Sequence, residues 1–324
     1  MKNKGRLGIG FIGAGDVSIL HGNAVSRNPE ARLVGIWNRT RERGLERARQ
    51  FGCRFYETAE QLVADPDIDA VFVLTNLETH LRYAKMAFAA GKHVLCEKPV
   101  ASSVAEAEEL RRAAEEAGLV CLPGHNMIYE ESLARSHELV ARGALGRLVS
   151  VYVLYNIWHS EERASTLPGI VRQILTHNSY TLLYIAGPPR RVSAFCASLH
   201  YERLTKEDIA MVNLEMHSGA LAHMCASFAA DDLSTSPWTY TVKAIGTAGS
   251  TSYSYNDWVE ARKGIAHSRT YTALQCTFDN EVRQFIRSVR DGQKPPSTLE
   301  DAVLCQRMIE AIERSIAEGR AVEV

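Results

Sequence analysis

Residues 7–18 read Leu-Gly-Ile-Gly-Phe-Ile-Gly-Ala-Gly-Asp-Val-Ser, and the fold turns on how they are read. Leu7–Ile12 is a short apolar run of strand type, and residues 16–27 carry a helical pattern closed by Asn28-Pro29. Between them, Gly13 permits a tight turn. Gly15 lets a phosphate approach the backbone at the helix N-terminus, where unsatisfied N–H groups attract anions. Ser18 takes the third position of the pattern and is small enough for close helix–strand packing. Glycines also serve ordinary turns, so the motif gains its meaning from lying at the first strand–helix junction. Gly13, Gly15, Asp16 and Val17 are therefore expected to hold a dinucleotide pyrophosphate.

Outward from this junction the same grammar repeats as far as residue 124. Strand-like runs at 32–37, 70–74, 93–96 and 119–122 alternate with amphipathic stretches. Thr58 with Gln61, and Ser103 with Glu106, offer capping boxes at two of the helix starts. Strands separated by helices predict a parallel sheet covered on both faces. After residue 124 the grammar changes. Longer alternating stretches at 148–157, 191–199, 209–216, 221–228 and 240–245 predict a mostly antiparallel sheet carrying a few helices. His217-Ser-Gly-Ala220 reads as a hairpin connection, and 299–318 as a final helix with an apolar stripe. The expected domains are 1–124 for the dinucleotide and 125–324 for substrate binding and oligomerisation. Val149, Val151 and Val153 need cover that few local helices supply, which predicts a homodimer or homotetramer.

The end of the second strand bears on the cofactor. A carboxylate there would accept from the ribose 2′-hydroxyl of NAD. The sequence instead reads Trp37-Asn38-Arg39-Thr40, followed by Arg41 and Arg43. A guanidinium suits the 2′-phosphate of NADP, so NADP is favoured; with Arg39 stacked on adenine or turned to water, NAD also serves.

Further motifs are Thr75-Asn-Leu-Glu-Thr-His80, Gly91-Lys-His-Val-Leu-Cys-Glu97-Lys98-Pro99, Gly143-Ala-Leu-Gly146, and His177 ten residues before Gly187. The tail from Phe278 and Phe285 through Pro295-Pro296 and 311–315 to Gly319 completes the set. Together with the glycine loop, these resemble the Gfo/Idh/MocA oxidoreductases over nearly the whole chain. The resemblance implies a Rossmann domain followed by an α/β domain on a large open sheet that often forms oligomer interfaces. It implies hydride transfer between a nicotinamide and a secondary alcohol or carbonyl of a sugar, cyclitol or related small molecule. Lys98 then sits near nicotinamide and substrate hydroxyl, and His177 ends the family's Asp-x-x-x-His motif. A base must accept the hydroxyl proton as hydride leaves, and an ammonium would stabilise the developing alkoxide.

The departures matter. Gln173 stands where the family has Asp, Tyr180 where it often has a second Asp, and Asn76 where Thr-Pro is common. Gln173 lies one helical turn before His177, and Gln173, His177, Tyr180 and Tyr184 form a polar, uncharged stripe with one titratable imidazole. His177 is expected to titrate in turnover while Lys98 remains a cation. The same departures leave a non-catalytic dinucleotide- and ligand-binding sensor as the alternative. Thr75, Asn76, His80, Glu97 and Lys98 are expected around the cofactor, although for His80 and His93 the structural reading, holding the loops after the fourth and fifth strands, is favoured. His125, Asn126 and Trp158 are expected with Gln173 and Tyr180 around substrate.

Composition narrows the partners. The 324 residues carry 37 Lys+Arg against 38 Asp+Glu, a net charge of −1 that leaves no basic excess for nucleic acid. No apolar run is long enough for a bilayer, and residues 1–6 lack the apolar core of a secretion signal. Seven dispersed cysteines without a C-x-x-C pair suit reduced thiols. A cytoplasmic protein without a metal site is expected.

Overall fold

A computed structural model describes residues 5–228, 238–254 and 274–324. The chain divides into two compact units, Met1–Tyr129 with Ala273–Val303, and Glu130–Thr272 with Leu304–Val324.

In the first unit, β1 (Leu7–Ile12), β2 (Ala31–Trp37), β3 (Arg54–Phe55), β4 (Ala70–Val73), β5 (His93–Glu97) and β6 (Cys121–Gly124) form one sheet. Its order is β3-β2-β1-β4-β5-β6, and every pairing is parallel. The crossovers are α1 (Val17–Arg27), α2 (Arg41–Phe51), α3 (Ala59–Ala64), α4 (His80–Ala89) and α5 (Val104–Ala117). Every residue of β1 and β4 is buried, as strands covered on both faces require. Both expected caps form at their helix starts. Thr58 Oγ1 accepts from the Gln61 amide at 3.1 Å, and Ser103 Oγ from the Glu106 amide at 3.2 Å; each is worth about 1 kcal/mol. Strand order runs outward both ways from β1 and β4, so the crevice at their C-terminal ends is the switch point where such sheets bind ligands.

The second unit contains α6 (Glu131–Ala141), α7 (Glu161–Ser165) and α8 (Thr176–Ala186). Its strands are β7 (Leu148–Ile157), β8 (Pro189–Ala197), β9 (Ile209–Met216), β10 (Leu221–Ser227), β11 (Trp238–Gly246), β12 (Ser250–Ser254) and β13 (Val322–Glu323). They pair in the order β12-β11-β7-β10-β9-β8-β13, antiparallel except at β7–β10. The β9–β10 hairpin closes as expected, with Met216 N–H donating to the Ala220 carbonyl at 2.9 Å and Gly219 at φ +85°. α8 is buried from Thr176 to Leu183, and Asn178 Nδ2 donates to the Cys225 carbonyl of β10 at 2.9 Å.

Two expectations change. Val151 and Val153 are covered within the unit, while Val149 at the strand's start is exposed. The uncovered apolar side of the sheet is the opposite one, which carries Tyr152, Phe195, Met211 and Leu221. Nor is the division linear at residue 124. The helix α9 (Gln275–Asp291) belongs to the first unit, packed on α1. Gln275 Nε2 donates to the Leu20 carbonyl at 2.9 Å, and Arg27 pairs with Asp279 at 3.0 Å. The physical reason is α9's apolar face, which needs burial and finds it where Phe285 meets Phe72 of β4 edge-on at 5.3 Å. The following helix, α10 (Leu299–Glu318), ends where the sequence places it.

Among the described residues no helix is long and apolar enough to cross a membrane, and no three His, Cys, Asp or Glu side chains are placed to hold a metal. All seven cysteines are unbridged.

Candidate active site

The glycine loop joins β1 to α1. Gly13 has φ +116°, and a Cβ there would lie 2.4 Å from the Leu74 carbonyl oxygen, so only glycine fits. A Cβ at Gly15 would meet nothing within 4 Å. Ser18 is fully buried, and its hydroxyl donates to the Gly15 carbonyl at 2.5 Å, which locks the loop against the helix. Asn38 ties this loop to the end of β2: its Oδ1 accepts from the Ala14 amide at 3.0 Å and its Nδ2 donates to the Thr40 carbonyl at 2.8 Å. Both ends of that amide therefore shape the loop.

A cavity of about 370 Å³ opens beside the loop. Gly13, Gly15, Asn38, Arg39, Thr75 and Asn76, all expected from sequence, line it together. Sequence reading missed Glu78, Arg82 and Tyr83, which α4 and the turn before it bring to the same wall. Arg41 is withdrawn, paired with Glu57 at 2.8 Å. Arg39, Arg43 and Arg82 converge on the cavity without a carboxylate at ion-pair distance among the described residues, and Arg82 stacks over the Tyr83 ring at 5.3 Å. Three guanidiniums against the single carboxylate of Glu78 make this wall cationic. An open backbone at a helix start beside a cationic wall fits the anionic phosphates of a dinucleotide.

His80 is buried between the loops after β4 and β5, with Nδ1 2.9 Å from the Pro99 carbonyl oxygen and Nε2 3.0 Å from that of Thr75; a neutral ring donates to one of the two. Burial holds its imidazole below the ordinary histidine range. It stands beside Thr75, which is on the lining of the cavity. Glu97 is buried and accepts from His21 Nε2 at 2.8 Å and from the Lys98 amide at 3.0 Å. Lys98 follows half-buried. Burial lowers its ammonium from the ordinary lysine value, and the Glu97 charge opposes that shift. His125 is buried and pushed well below the usual range by burial and by the Lys98 charge. Asn126 Nδ2 donates to Thr277 Oγ1 of α9 at 2.8 Å, a bond that serves the unit's packing.

The remaining candidates lie in the second unit. His177 is buried on α8, with Tyr155 edge-on at 5.6 Å. Gln173 does not sit on a regular helix: Val171–Leu175 is a π turn that runs into α8, and wider turns of this kind are frequent at functional sites. The expected stripe is thereby altered, because a 3.6-residue period no longer relates Gln173 to His177. Tyr180 is buried, and Tyr184 leaves the stripe to stack on His137 at 4.1 Å. Trp158 is half-buried just after β7.

Comparison with known proteins agrees with this architecture. Residues 7–125 match the family described as oxidoreductase, NAD-binding Rossmann fold, and residues 133–252 match the GFO/IDH/MocA C-terminal domain. The chain is 26% identical to 1,5-anhydro-D-fructose reductase of Ensifer adhaerens, covering 97% of this chain and 98% of that protein. It is also 26% identical to myo-inositol 2-dehydrogenase of Thermotoga maritima, covering 98% of each. Among solved structures, GenD2 from gentamicin A biosynthesis, in complex with NAD, superimposes with a TM-score of 0.85 at 28% identity over 99% of this chain and 97% of that one. With a parallel sheet ordered around a glycine-loop cradle and both domain families matched in sequence, the chain belongs to the Gfo/Idh/MocA family of NAD-binding oxidoreductases.

Proposed function

We propose that this chain is an NADP-preferring oxidoreductase that moves a hydride between nicotinamide and a secondary alcohol or carbonyl on a sugar, cyclitol or related polyol. NAD is the weaker cofactor. The observation that carries the cofactor preference is the cationic wall of Arg39, Arg43 and Arg82. The substrate class rests on the family and on the sugar and inositol chemistry named for its relatives.

When bound, the nicotinamide supplies the hydride donor or acceptor. Gly13 makes the turn, its own amide donating to the Trp37 carbonyl at 2.8 Å, Gly15 leaves the backbone at the helix start open to the pyrophosphate, and Thr75 and Asn76 line the approach to the ring. Lys98 holds the reacting oxygen as a cation, and its lowered proton affinity places it nearer to exchange than an ordinary lysine. His177 takes the hydroxyl proton; Gln173, Tyr180, His125, Asn126 and Trp158 orient substrate. The exposed apolar side of the second sheet is buried in a homodimer or homotetramer.

The test is nicotinamide absorbance with NADP and NAD against a panel of sugars and cyclitols. Turnover with NADP preferred is the expected result, and Arg39→Ala should weaken NADP alone, by about 1–3 kcal/mol. Equal loss for both cofactors removes the preference. Binding without turnover across the panel favours a sensor. With a substrate in hand, His177→Ala should remove the near-neutral limb of the kcat/KM profile while Lys98→Met lowers the rate and keeps the limb; the reverse pattern exchanges the two roles.

A further inference from the structure

The cofactor cradle leaves one buried acid of the first unit unexplained. Glu281 of α9 is fully buried, and neither of its oxygens has a hydrogen-bond partner among the described residues. It interrupts the apolar face of Phe278, Val282 and Phe285. Phe278 meets the His21 ring edge-on at 4.8 Å, and Phe285 meets Phe72. Burial there, with the Glu97 charge nearby, pushes the carboxyl well above the ordinary glutamate range. Glu281 is thus a neutral acid with one O–H to donate. A buried donor left unused is strongly unfavourable.

His21 of α1 has the complementary deficit. It is fully buried, and its Nε2 faces Glu97 Oε1 at 2.8 Å. A carboxylate only accepts, so Nε2 carries the hydrogen, and in a neutral imidazole Nδ1 is then a bare acceptor. Nδ1 is buried and has no hydrogen-bond partner among the described residues. The Glu281 side chain stands one turn along α9 from the phenyl ring that touches His21. A donor lacking an acceptor and an acceptor lacking a donor therefore share the α1–α9 interface. The ionisable group that faces both is Glu97 of β5, whose charge also reaches Lys98 and His80.

We propose that one bound water links the two, accepting from the Glu281 carboxyl and donating to Nδ1 of His21, and completes a chain from Glu281 through His21 and Glu97 to the Lys98 backbone amide. Glu281 is a positioning residue: it fixes the imidazole, the imidazole fixes Glu97, and Glu97 fixes the backbone that carries Lys98. The functional consequence rests on the reading of Lys98 as an active-site group, whereas the chain itself does not.

A merely structural Glu281 predicts that leucine, apolar and of similar size, is tolerated or stabilising. The test is made on the full-length protein with Glu281→Gln and Glu281→Leu. ¹⁵N NMR, with the His21 signal assigned by its loss in His21→Asn, should show Nδ1 as a hydrogen-bonded acceptor in wild type. Glu281→Gln retains a donor and should keep that signal, with kcat changed by no more than about twofold. Glu281→Leu should move Nδ1 to the shift of an unbonded acceptor and lower kcat by roughly ten- to a hundredfold, with cofactor KM unchanged. Infrared spectroscopy should show a protonated-carboxyl band in wild type that Glu281→Gln removes, a readout that survives if the leucine variant does not fold. An unbonded Nδ1 in wild type, an ionised Glu281, or a leucine variant with wild-type kcat overturns the proposal. Full turnover in Lys98→Met would instead remove the reading of Lys98, and the His21 signal would then judge the chain alone.

Discussion

Phe72 in the first unit's sheet is fully buried, while Phe195 in the second unit's sheet is 70% exposed. The difference follows from how each sheet is connected. Parallel strands need crossovers, and their helices cover both faces, so β1 and β4 are apolar throughout. A sheet that is antiparallel at all but one pairing needs cover on one face only, and β7 alternates between buried Val151, Val153 and Tyr155 and exposed Tyr152. A side chain in the first sheet therefore acts through the stability of its own unit, whereas the open face of the second acts through what it meets.

The largest expected effect tests the first half of that contrast. Phe72→Ala should cost about 3–5 kcal/mol in denaturant unfolding, as large aromatic-to-alanine changes in close-packed cores do. A loss no greater than that of a surface substitution would break the comparison. Gly13→Ala comes next. It combines φ +116° with a Cβ placed 2.4 Å from the Leu74 carbonyl, and should cost about 1–3 kcal/mol and most of the dinucleotide affinity. Unchanged cofactor titration would show that the loop can move aside.

A smaller effect sharpens the comparison through pH. Folding raises the proton affinity of Glu281, so the folded state keeps a proton that the unfolded state has lost. Stability from this group is greatest below the ordinary glutamate value and falls as pH rises above it, by at most about 1.4 kcal/mol per pH unit. Glu281→Gln should flatten that slope in urea midpoints measured across pH; an identical slope would place the ionisation elsewhere. The smallest effect belongs to the open face. Phe195→Ser should change the unfolding free energy at low protein concentration by no more than about 0.5 kcal/mol, while lowering self-association in sedimentation. A large loss of stability in the dilute protein would show that Phe195 is core after all.

What the sequence discloses depends on the range of the interaction. The β1–loop–α1 junction, both helix caps and the β9–β10 hairpin are legible because each is decided by residues within a few positions of one another. β3 and β13 escape because two residues carry no periodicity. The π turn at Val171–Leu175 escapes because a 3.6-residue count assumes a regular helix. Arg39 is visible at the end of β2, but Arg82 joins it only through the fold. Glu281 left one signal: a carboxylate among Phe278, Val282 and Phe285 is a charge on an otherwise apolar stripe. That pattern points to a group with a task, although its partner on α1 cannot be read from it.

The return of α9 to the first unit also sets an order of events during synthesis. β6 ends at Gly124, but the helix that covers Phe72 and His21 begins at Gln275, after the strands through β12 have been made. A nascent chain released from the ribosome only as far as the second sheet holds a nucleotide-binding half with an apolar flank still facing water. Its final closure waits for the carboxyl-terminal quarter of the polypeptide, so a stop codon late in the reading frame would disable the half encoded first.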